Sequence, residues 1–243
     1  MKPDQRCLLL LHGLGATGAV WAPVEALIAA RGLGRSLAPD LPGHGGAARM
    51  PRYSVGAVAA ATAAAVVDEP DLYVVGHSFG GYVAAALASG WFGATVRGVL
   101  TIGTKVVFTE EELARGAEFA RRPARTFATR NEALERYRKV AGLDDVLAPG
   151  ESLLARGTVA DGTGFRLAAD PASAGIAVPP FAALIAAARC PVLVTRGEHD
   201  ALVSSSELAA AAPGAVDLAG LGHNLHVEAP ERVLDLIGRL LPG

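Results

Sequence analysis

A serine flanked by glycines, set between a strand-like run and a helix-like run, constrains this chain more than any other feature. Residues 76–80 read Gly-His-Ser-Phe-Gly. The Leu-Tyr-Val-Val run before them is typical of a buried parallel strand, and the alanine-rich run after them favours a helix. A tight strand-to-helix turn needs residues without bulk two positions to either side of its apex, and Gly76 and Gly80 supply them. The motif therefore makes Ser78 a candidate nucleophile.

A second apolar run, residues 8–11, leads directly into a His-Gly-Leu-Gly loop at residues 12–15. Acyl-transfer chemistry needs hydrogen-bond donors aimed at a developing oxyanion. A glycine-rich loop can present backbone N–H groups there because no side chain blocks the approach. The alternative interpretation is a plain turn after a core strand.

Two further strand-like runs end in polar loops nearer the C-terminus. Residues 191–195 lead to Asp200, and residues 215–218 lead to His223. The order Ser78, Asp200, His223 is the order that one triad fold uses. We predict Ser78 as the nucleophile, His223 as the general base and Asp200 as the residue that orients the base.

Other residues near these loops compete for the same roles. His226 is a rival base, but His223 directly follows a glycine on its loop, whereas His226 is closer to the final helix. Glu198 is a rival to Asp200, but it is nearer the preceding strand. His77 is expected to turn away from the nucleophile and to have a structural role.

Three more motifs complete a family pattern. Residues 40–45 read Asp-Leu-Pro-Gly-His-Gly, residues 222–223 read Gly-His, and residues 228–231 read Glu-Ala-Pro-Glu. With the serine motif and the His-Gly-Leu-Gly loop, they resemble the α/β-hydrolase family, and in particular its lid-bearing, esterase-like serine hydrolases. The resemblance runs from about residue 8 to the C-terminus and is weak between residues 104 and 179.

The resemblance implies a serine hydrolase that cleaves an ester-type bond of a small or medium acyl substrate through an acyl-enzyme. The backbone N–H groups of Leu14 and Phe79 would form the oxyanion hole. His12 would brace the loop that carries Leu14. The residues expected to support the site are His12, Gly13, Gly15, Gly76 and Gly80.

The motifs identify a chemistry but not a substrate. The same triad serves thioesterases, lactonases, C–C bond hydrolases and perhydrolases, and the fold also hosts lyases, cyclases and acyl transferases. A ligand-binding protein with a hydrolase-derived pocket is a further alternative. The complete set of motifs favours hydrolysis.

The alternation of strand-like and helix-like runs predicts an α/β fold with a doubly wound, mostly parallel sheet of about six strands. Only residues 1–6 precede Cys7, too few for the two-strand segment that family members usually carry. We therefore expect a shortened N-terminal edge, with a strand at residues 36–39 near it. An exposed edge favours pairing with a neighbouring molecule or a covering loop.

The 243 residues are expected to form one core, residues 1–103 and 180–243, interrupted by a helical lid at residues 104–179. Thr109 and the three glutamates after it predict a capping box. Residues 131–140 predict a second helix, and the glycines and prolines after it predict a loose return. A surface insertion without function is the alternative.

Basic residues are concentrated in this predicted lid. They favour recognition of an anionic acyl group or a phosphopantetheine-like carrier. The alternative is a solvated helical face with i,i+4 ion pairs, namely Glu132–Arg136 and Glu135–Lys139. The candidate substrate-binding residues are Trp21, which follows the His-Gly-Leu-Gly loop, and Arg121, Arg122 and Arg125.

Composition limits the classes of binding partner, location and cofactor that are expected. The formal net charge is −2, so no bulk attraction to nucleic acid or to an acidic membrane is expected. No apolar run reaches the length of a membrane span, and no signal-peptide core precedes residue 12. Cys7 and Cys190 fit buried free thiols of a cytoplasmic protein. The histidines lack metal-ligand spacing, so neither a metal nor a cofactor is expected. The protein is expected to be a monomer or a homodimer.

Overall fold

The computed structural model describes residues 5–242, and a six-stranded parallel sheet lies at its centre. Its strands are β1 Arg6–Leu11, β2 Arg35–Leu37, β3 Asp71–His77, β4 Val96–Ile102, β7 Val192–Gly197 and β8 Val216–Leu218. A separate antiparallel pair consists of β5 Thr158–Asp161 and β6 Gly164–Leu167. The order in the large sheet is β2-β1-β3-β4-β7-β8, which confirms the predicted fold class and the predicted position of β2 at the edge.

The helices alternate with the strands outside the segment between β4 and β7. They are α1 Ala22–Arg31, α2 Val55–Ala64, α3 Phe79–Ala88, α4 Glu110–Ala120, α5 Arg130–Val140, α6 Phe181–Ala186, α7 Ser205–Ala211, α8 Leu225–Glu228 and α9 Pro230–Gly238. Among residues 5–242, no helix has both the length and the apolar character that a bilayer crossing requires.

Both faces of the sheet are covered by apolar layers. Side chains alternate along β1, so Leu9 and Leu11 pack with α2 and α3 on one face, and Leu8 and Leu10 pack with α1 and α9 on the other. Burial on both faces explains why residues 7–11 of β1 are all apolar rather than alternating with polar residues. The edge strand β2 has only three residues, which limits the backbone it exposes for pairing.

The segment at residues 104–179, which we call the insertion, is not wholly helical as predicted. α4 and α5 begin with capping boxes at Thr109 and Thr129, but β5 and β6 form a hairpin where the sequence predicted a loose return. Gly162 supplies the positive φ of 59° at the hairpin turn. Phe127, which precedes α5, exchanges two backbone hydrogen bonds with Phe165 of β6 at 2.7 and 2.9 Å. Long-range pairing therefore orders this part of the insertion.

Candidate active site

Ser78 lies at the turn between β3 and α3 in a strained backbone conformation. Its φ is 51°, and among residues 5–242 no other non-glycine residue has a positive φ. The Ser78 N–H donates to the Ile102 carbonyl at 2.8 Å, and the Ser78 carbonyl accepts from the Gly81 N–H at 3.0 Å and the Thr104 hydroxyl at 3.3 Å. These bonds to β4 and its loop maintain a conformation that costs about 1–3 kcal/mol in isolation.

The two flanking glycines are required by the close approach of backbone segments. A β-carbon at Gly76 would overlap the carbonyl of Gly80, and one at Gly80 would overlap the carbonyls of Leu11 and His12. Neither glycine has a positive φ. The glycines therefore allow α3 to begin directly against the end of β1, next to the His-Gly-Leu-Gly loop.

Asp200 and His223 form the contact that the sequence predicted for them. Asp200 follows β7, is 5% exposed, and its Oδ2 lies 2.8 Å from Nδ1 of His223. The other carboxylate oxygen accepts from the Leu202 N–H at 2.9 Å. Because a carboxylate only accepts hydrogen bonds, Nδ1 of His223 carries the proton and Nε2 is left with a free lone pair. This tautomer suits a general base.

The rival residues have other contacts. Glu198 Oε2 accepts from the Gly220 N–H at 2.9 Å and so stabilises the loop rather than the histidine. His226 is 1% exposed and stacks on Trp21 and His77, with ring centroids 4.5 and 4.4 Å apart. Burial lowers the pKa of His226 to about 3, so it is neutral near pH 7.

His77 connects the nucleophile strand to the loop of the candidate base. Its Nε2 lies 3.1 Å from the His223 carbonyl, and because a carbonyl only accepts, Nε2 must be the donor. The two rings are also in edge contact, with centroids 4.7 Å apart. Burial lowers the pKa of His77 well below its usual range. The predicted structural role for His77 corresponds to this bond.

Two buried histidines support the His-Gly-Leu-Gly loop. His12 accepts from the Leu41 N–H through Nε2 at 2.9 Å, and its Nδ1 lies 2.8 Å from the Gly13 carbonyl. His44 accepts from the Gly15 N–H at 3.1 Å. Burial lowers the pKa of His12 to about 3 and also lowers that of His44. The sequence indicated a bracing role for His12 but gave none to His44, although it lies in the recognised motif at residues 40–45.

Two backbone N–H groups in the loops around Ser78 have no hydrogen-bond partner among residues 5–242. Phe79 is the first residue of α3, so its N–H has no partner within the helix. The Leu14 N–H makes no hydrogen bond with any residue in the range 5–242. A β-carbon added at Gly13 would lie 3.2 Å from the Ser78 β-carbon, so this loop runs directly beside the nucleophile.

A cavity of about 520 Å³ extends from this loop into the insertion. Its lining includes Leu14 and Gly15 of the loop and the predicted substrate-binding residues Arg122 and Arg125. Arg136 of α5 also lines it, although the sequence assigned that residue to a surface ion pair.

Two of the candidate substrate-binding residues lie outside this cavity. Arg121 does not line it, even though it immediately precedes Arg122. Trp21 is wholly buried against His226 rather than facing the cavity, because the turn of 3₁₀ helix at Gly18–Trp21 directs it into the core. The expectation that Trp21 contacts substrate is therefore not met by the structure.

The ion pairs predicted along α5 are also different in the structure. Glu132 caps the helix by accepting from the Thr129 N–H at 3.2 Å, and Glu135 pairs with Arg138 at 2.8 Å. Arg136 is consequently left without a carboxylate partner among the described residues. Within the same range, no three His, Cys, Asp or Glu side chains are grouped to hold a metal ion.

Solved structures of several hydrolases share this architecture. The thioesterase domain of the curacin biosynthetic pathway is 24% identical, with a TM-score of 0.78 over 97% of this chain and 92% of that one. E-2-(acetamidomethylene)succinate hydrolase is 22% identical, with a TM-score of 0.80 over 97% and 91%. An esterase from Mycobacterium tuberculosis is 22% identical, with a TM-score of 0.73 over 96% and 84%. At these identities the likeness establishes the fold.

Sequence comparison identifies the family. A curated protein of Gibberella zeae, described as an AB hydrolase superfamily protein, is 34% identical over 91 residues, which are 36% of this chain and 32% of that protein. The alignment thus spans about a third of that relative's length. The pattern that defines the "Alpha/beta hydrolase family" matches residues 8–236. Because that match includes nearly all of the sequence, the chain belongs to the alpha/beta hydrolase family.

Proposed function

We propose that this protein is a serine hydrolase that cleaves an ester-type bond through an acyl-enzyme on Ser78. The observation that carries the proposal is the 2.8 Å contact between His223 Nδ1 and Asp200 Oδ2. This contact lies at the carboxyl ends of the parallel strands, where β3 leads into Ser78. Family membership and the esterase and thioesterase folds among its structural neighbours support hydrolase activity in general.

In the proposed mechanism, Oγ of Ser78 attacks the acyl carbonyl while Nε2 of His223 accepts its proton. His223 then returns that proton to the leaving group. Asp200 orients the imidazole and stabilises its cation. In the second half-reaction His223 takes a proton from water as the water oxygen attacks the acyl-enzyme. The ester bond to Oγ then breaks, the carboxylic acid is released, and His223 returns the proton to Oγ of Ser78. Burial lowers the pKa values of His12, His77 and His226 and keeps these three rings neutral, so they add no positive charge beside the proposed base.

The free N–H groups of Leu14 and Phe79 are proposed to stabilise the oxyanion in both half-reactions. Loss of one such donor in other enzymes raises the barrier by about 3 kcal/mol. Because these donors belong to the backbone, truncating the side chain of Leu14 or Phe79 should cost less activity than Ser78→Ala. Esters, thioesters and lactones present the same carbonyl to this arrangement, so substrate panels should include all three.

The test is intact mass spectrometry of wild type and Ser78→Ala after mixing with a fluorophosphonate and, separately, with a short-chain p-nitrophenyl ester. Ser206→Ala is the matched control, since Ser206 is exposed on α7. We expect a Ser78-dependent adduct and continuous p-nitrophenol release from wild type and the control. An adduct without turnover of any ester or thioester would favour a lyase or acyl transferase. Absence of both adduct and turnover would overturn the proposal.

A further inference from the structure

We propose that the substrate carries an anionic group, a carboxylate or a phosphate, remote from the scissile carbonyl, and that Arg122, Arg125 and Arg136 bind it. The inference rests on the hydrolase function proposed above and adds a substrate class to it. Leu14, the proposed oxyanion donor, lines the cavity that extends into the insertion, and the preceding residue Gly13 runs beside Ser78. The cavity with the arginines therefore borders the loop that runs beside Ser78, and we expect a substrate bound at Ser78 to extend past this loop into it.

The three arginines converge from two parts of the insertion. Arg122 and Arg125 lie in the loop after α4, whereas Arg136 lies on α5. All three are exposed, so a ligand can reach their guanidinium groups. Residues that approach one cavity from separate elements form a concave cationic surface, unlike the evenly solvated helix face that is the alternative interpretation of this segment.

The charges of two of these arginines are not neutralised within the structure. Arg125 lies over the Phe127 ring at 4.7 Å, a contact that orients a guanidinium group without neutralising its charge. No ion pair is present at Arg125 or Arg136 among the described residues. Arg122 pairs with Glu118 at 2.6 Å, but a guanidinium has five N–H donors and most remain available.

The carboxylate of Asp170 also lines the cavity, and its oxygens are already occupied. One accepts from the Ala172 N–H at 3.1 Å, and the other accepts from the Tyr53 hydroxyl at 2.9 Å with Arg49 at 3.9 Å. Asp170 is therefore balanced by groups other than the three arginines. The remaining charge of the lining is positive and suited to an anion.

The rest of the lining indicates what joins the anion to the reacting carbonyl. The apolar part of the lining includes Phe119, Phe127, Val140 and Leu167. The volume of about 520 Å³ falls within the usual range for small-molecule sites. The combination fits an apolar spacer that ends in an anion, and guanidinium groups bind carboxylate and phosphate oxygens in a bidentate manner.

The anion has two chemical sources, and two pairs of substrates distinguish them. Mono-p-nitrophenyl adipate and its methyl ester differ by one carboxylate on the acyl side. Acetyl-4′-phosphopantetheine and acetyl-pantetheine differ by one phosphate on the leaving group. Within each pair the reacting carbonyl is unchanged, so a rate difference reports recognition of the anion.

The variants are Arg122→Gln, Arg125→Gln and Arg136→Gln, with Arg115→Gln as control because it is an exposed arginine on α4 that does not line the cavity. One lost charge-assisted hydrogen bond corresponds to about a 10- to 100-fold change. We expect kcat/KM on the anionic member of one pair to fall by about that factor, with less than about a threefold change on the neutral member. Arg115→Gln should match wild type on both.

The outcomes separate this inference from the function on which it rests. Hydrolysis of the neutral esters supports the function by itself. If neutral and anionic members of both pairs react equally, and the arginine variants behave alike on all four, the anion site is overturned. If no substrate turns over, calorimetry with adipate monomethyl ester and with 4′-phosphopantetheine on Ser78→Ala tests binding directly. Binding lost in the arginine variants would support the site, and absence of binding would overturn it.

Discussion

The end of the sheet that carries the candidate active site and the insertion are stabilised by different kinds of contact. At the sheet, His12, His44 and His77 are buried, and each bonds to a backbone group of a neighbouring loop. In the insertion, Arg122 and Arg136 are exposed, and the Glu118–Arg122 pair is over 60% exposed on both sides. Buried hydrogen bonds to backbone restrict geometry, whereas exposed ion pairs contribute little stability.

This difference suits a division between the proposed chemistry at the sheet and the proposed recognition of substrate in the insertion. A triad must be held within a fraction of an ångström, which needs packed, satisfied surroundings. A surface that binds a substrate's distal group can tolerate movement and can change without disturbing the fold. Four experiments test this contrast, beginning with the largest expected effect.

The strongest test removes the charge of the buried carboxylate. Asp200→Asn should lower kcat by about 10⁴. The NH₂ group that replaces one carboxylate oxygen can donate to Nδ1 of His223, which would move the ring proton to Nε2 and remove the lone pair that the base needs. Glu198→Gln is the matched control, and we expect less than about a threefold change because Glu198 bonds to the Gly220 N–H. Steady-state kinetics on a neutral p-nitrophenyl ester measure both. The reverse pattern would assign the acid to Glu198.

The second test adds one methyl group at the turn. Gly80→Ala should destabilise the protein by about 3 kcal/mol or more, since the β-carbon would overlap the backbone carbonyls of Leu11 and His12. Gly238→Ala, at the end of α9 with open space around it, should be neutral or stabilise by up to about 1 kcal/mol. Urea unfolding gives both values. Equal stability of the two variants would contradict the close packing.

The third test measures how the free energy of unfolding depends on pH through His226. His226 is neutral in the folded state with its pKa lowered to about 3, and it takes up a proton on unfolding below about pH 6.5. It therefore contributes no pH dependence above about pH 6.5, and stability falls as pH decreases toward about 3, by up to about 1.4 kcal/mol per pH unit. His226→Phe keeps an aromatic ring against Trp21 and His77 but does not titrate.

We expect the dependence of unfolding free energy on pH, measured by urea titration between about pH 6.5 and 5, to be shallower in His226→Phe than in wild type. The window avoids most carboxylate titration. Identical slopes would mean that folding does not lower the pKa of His226, and would contradict its description as a buried neutral histidine.

The smallest expected effect belongs to the insertion. Thr129→Ala removes the side chain that caps α5 and should cost about 1 kcal/mol. Hydrogen exchange should increase in α5, while hydrolysis of a neutral ester stays within about twofold. Thr109→Ala removes the corresponding cap from α4 and should affect that helix alone. A large loss of neutral-ester activity from Thr129→Ala would mean that α5 supports the candidate active site directly.

The fold was predictable because the patterns that specify it are local. The apolar run at residues 7–11, the glycines around Ser78 and the turn residues after each strand report backbone and packing requirements within a few positions. The hairpin of β5 and β6 escaped prediction because its stability depends on Phe127, more than thirty residues before Phe165. Short polar strands carry little signal of their own.

The candidate site likewise has residues that local sequence patterns identify and contacts that only the packing of distant segments creates. The sequence by itself determined the candidate nucleophile, base and acid, because each follows an apolar strand, and parallel strands bring such loops to one edge. Only the tertiary structure decided that Trp21 is buried against His226, that His44 holds Gly15, and that Arg136 joins Arg122 and Arg125 around one cavity. These are contacts between distant segments. They depend on how elements pack in space, which no pattern of neighbouring residues encodes.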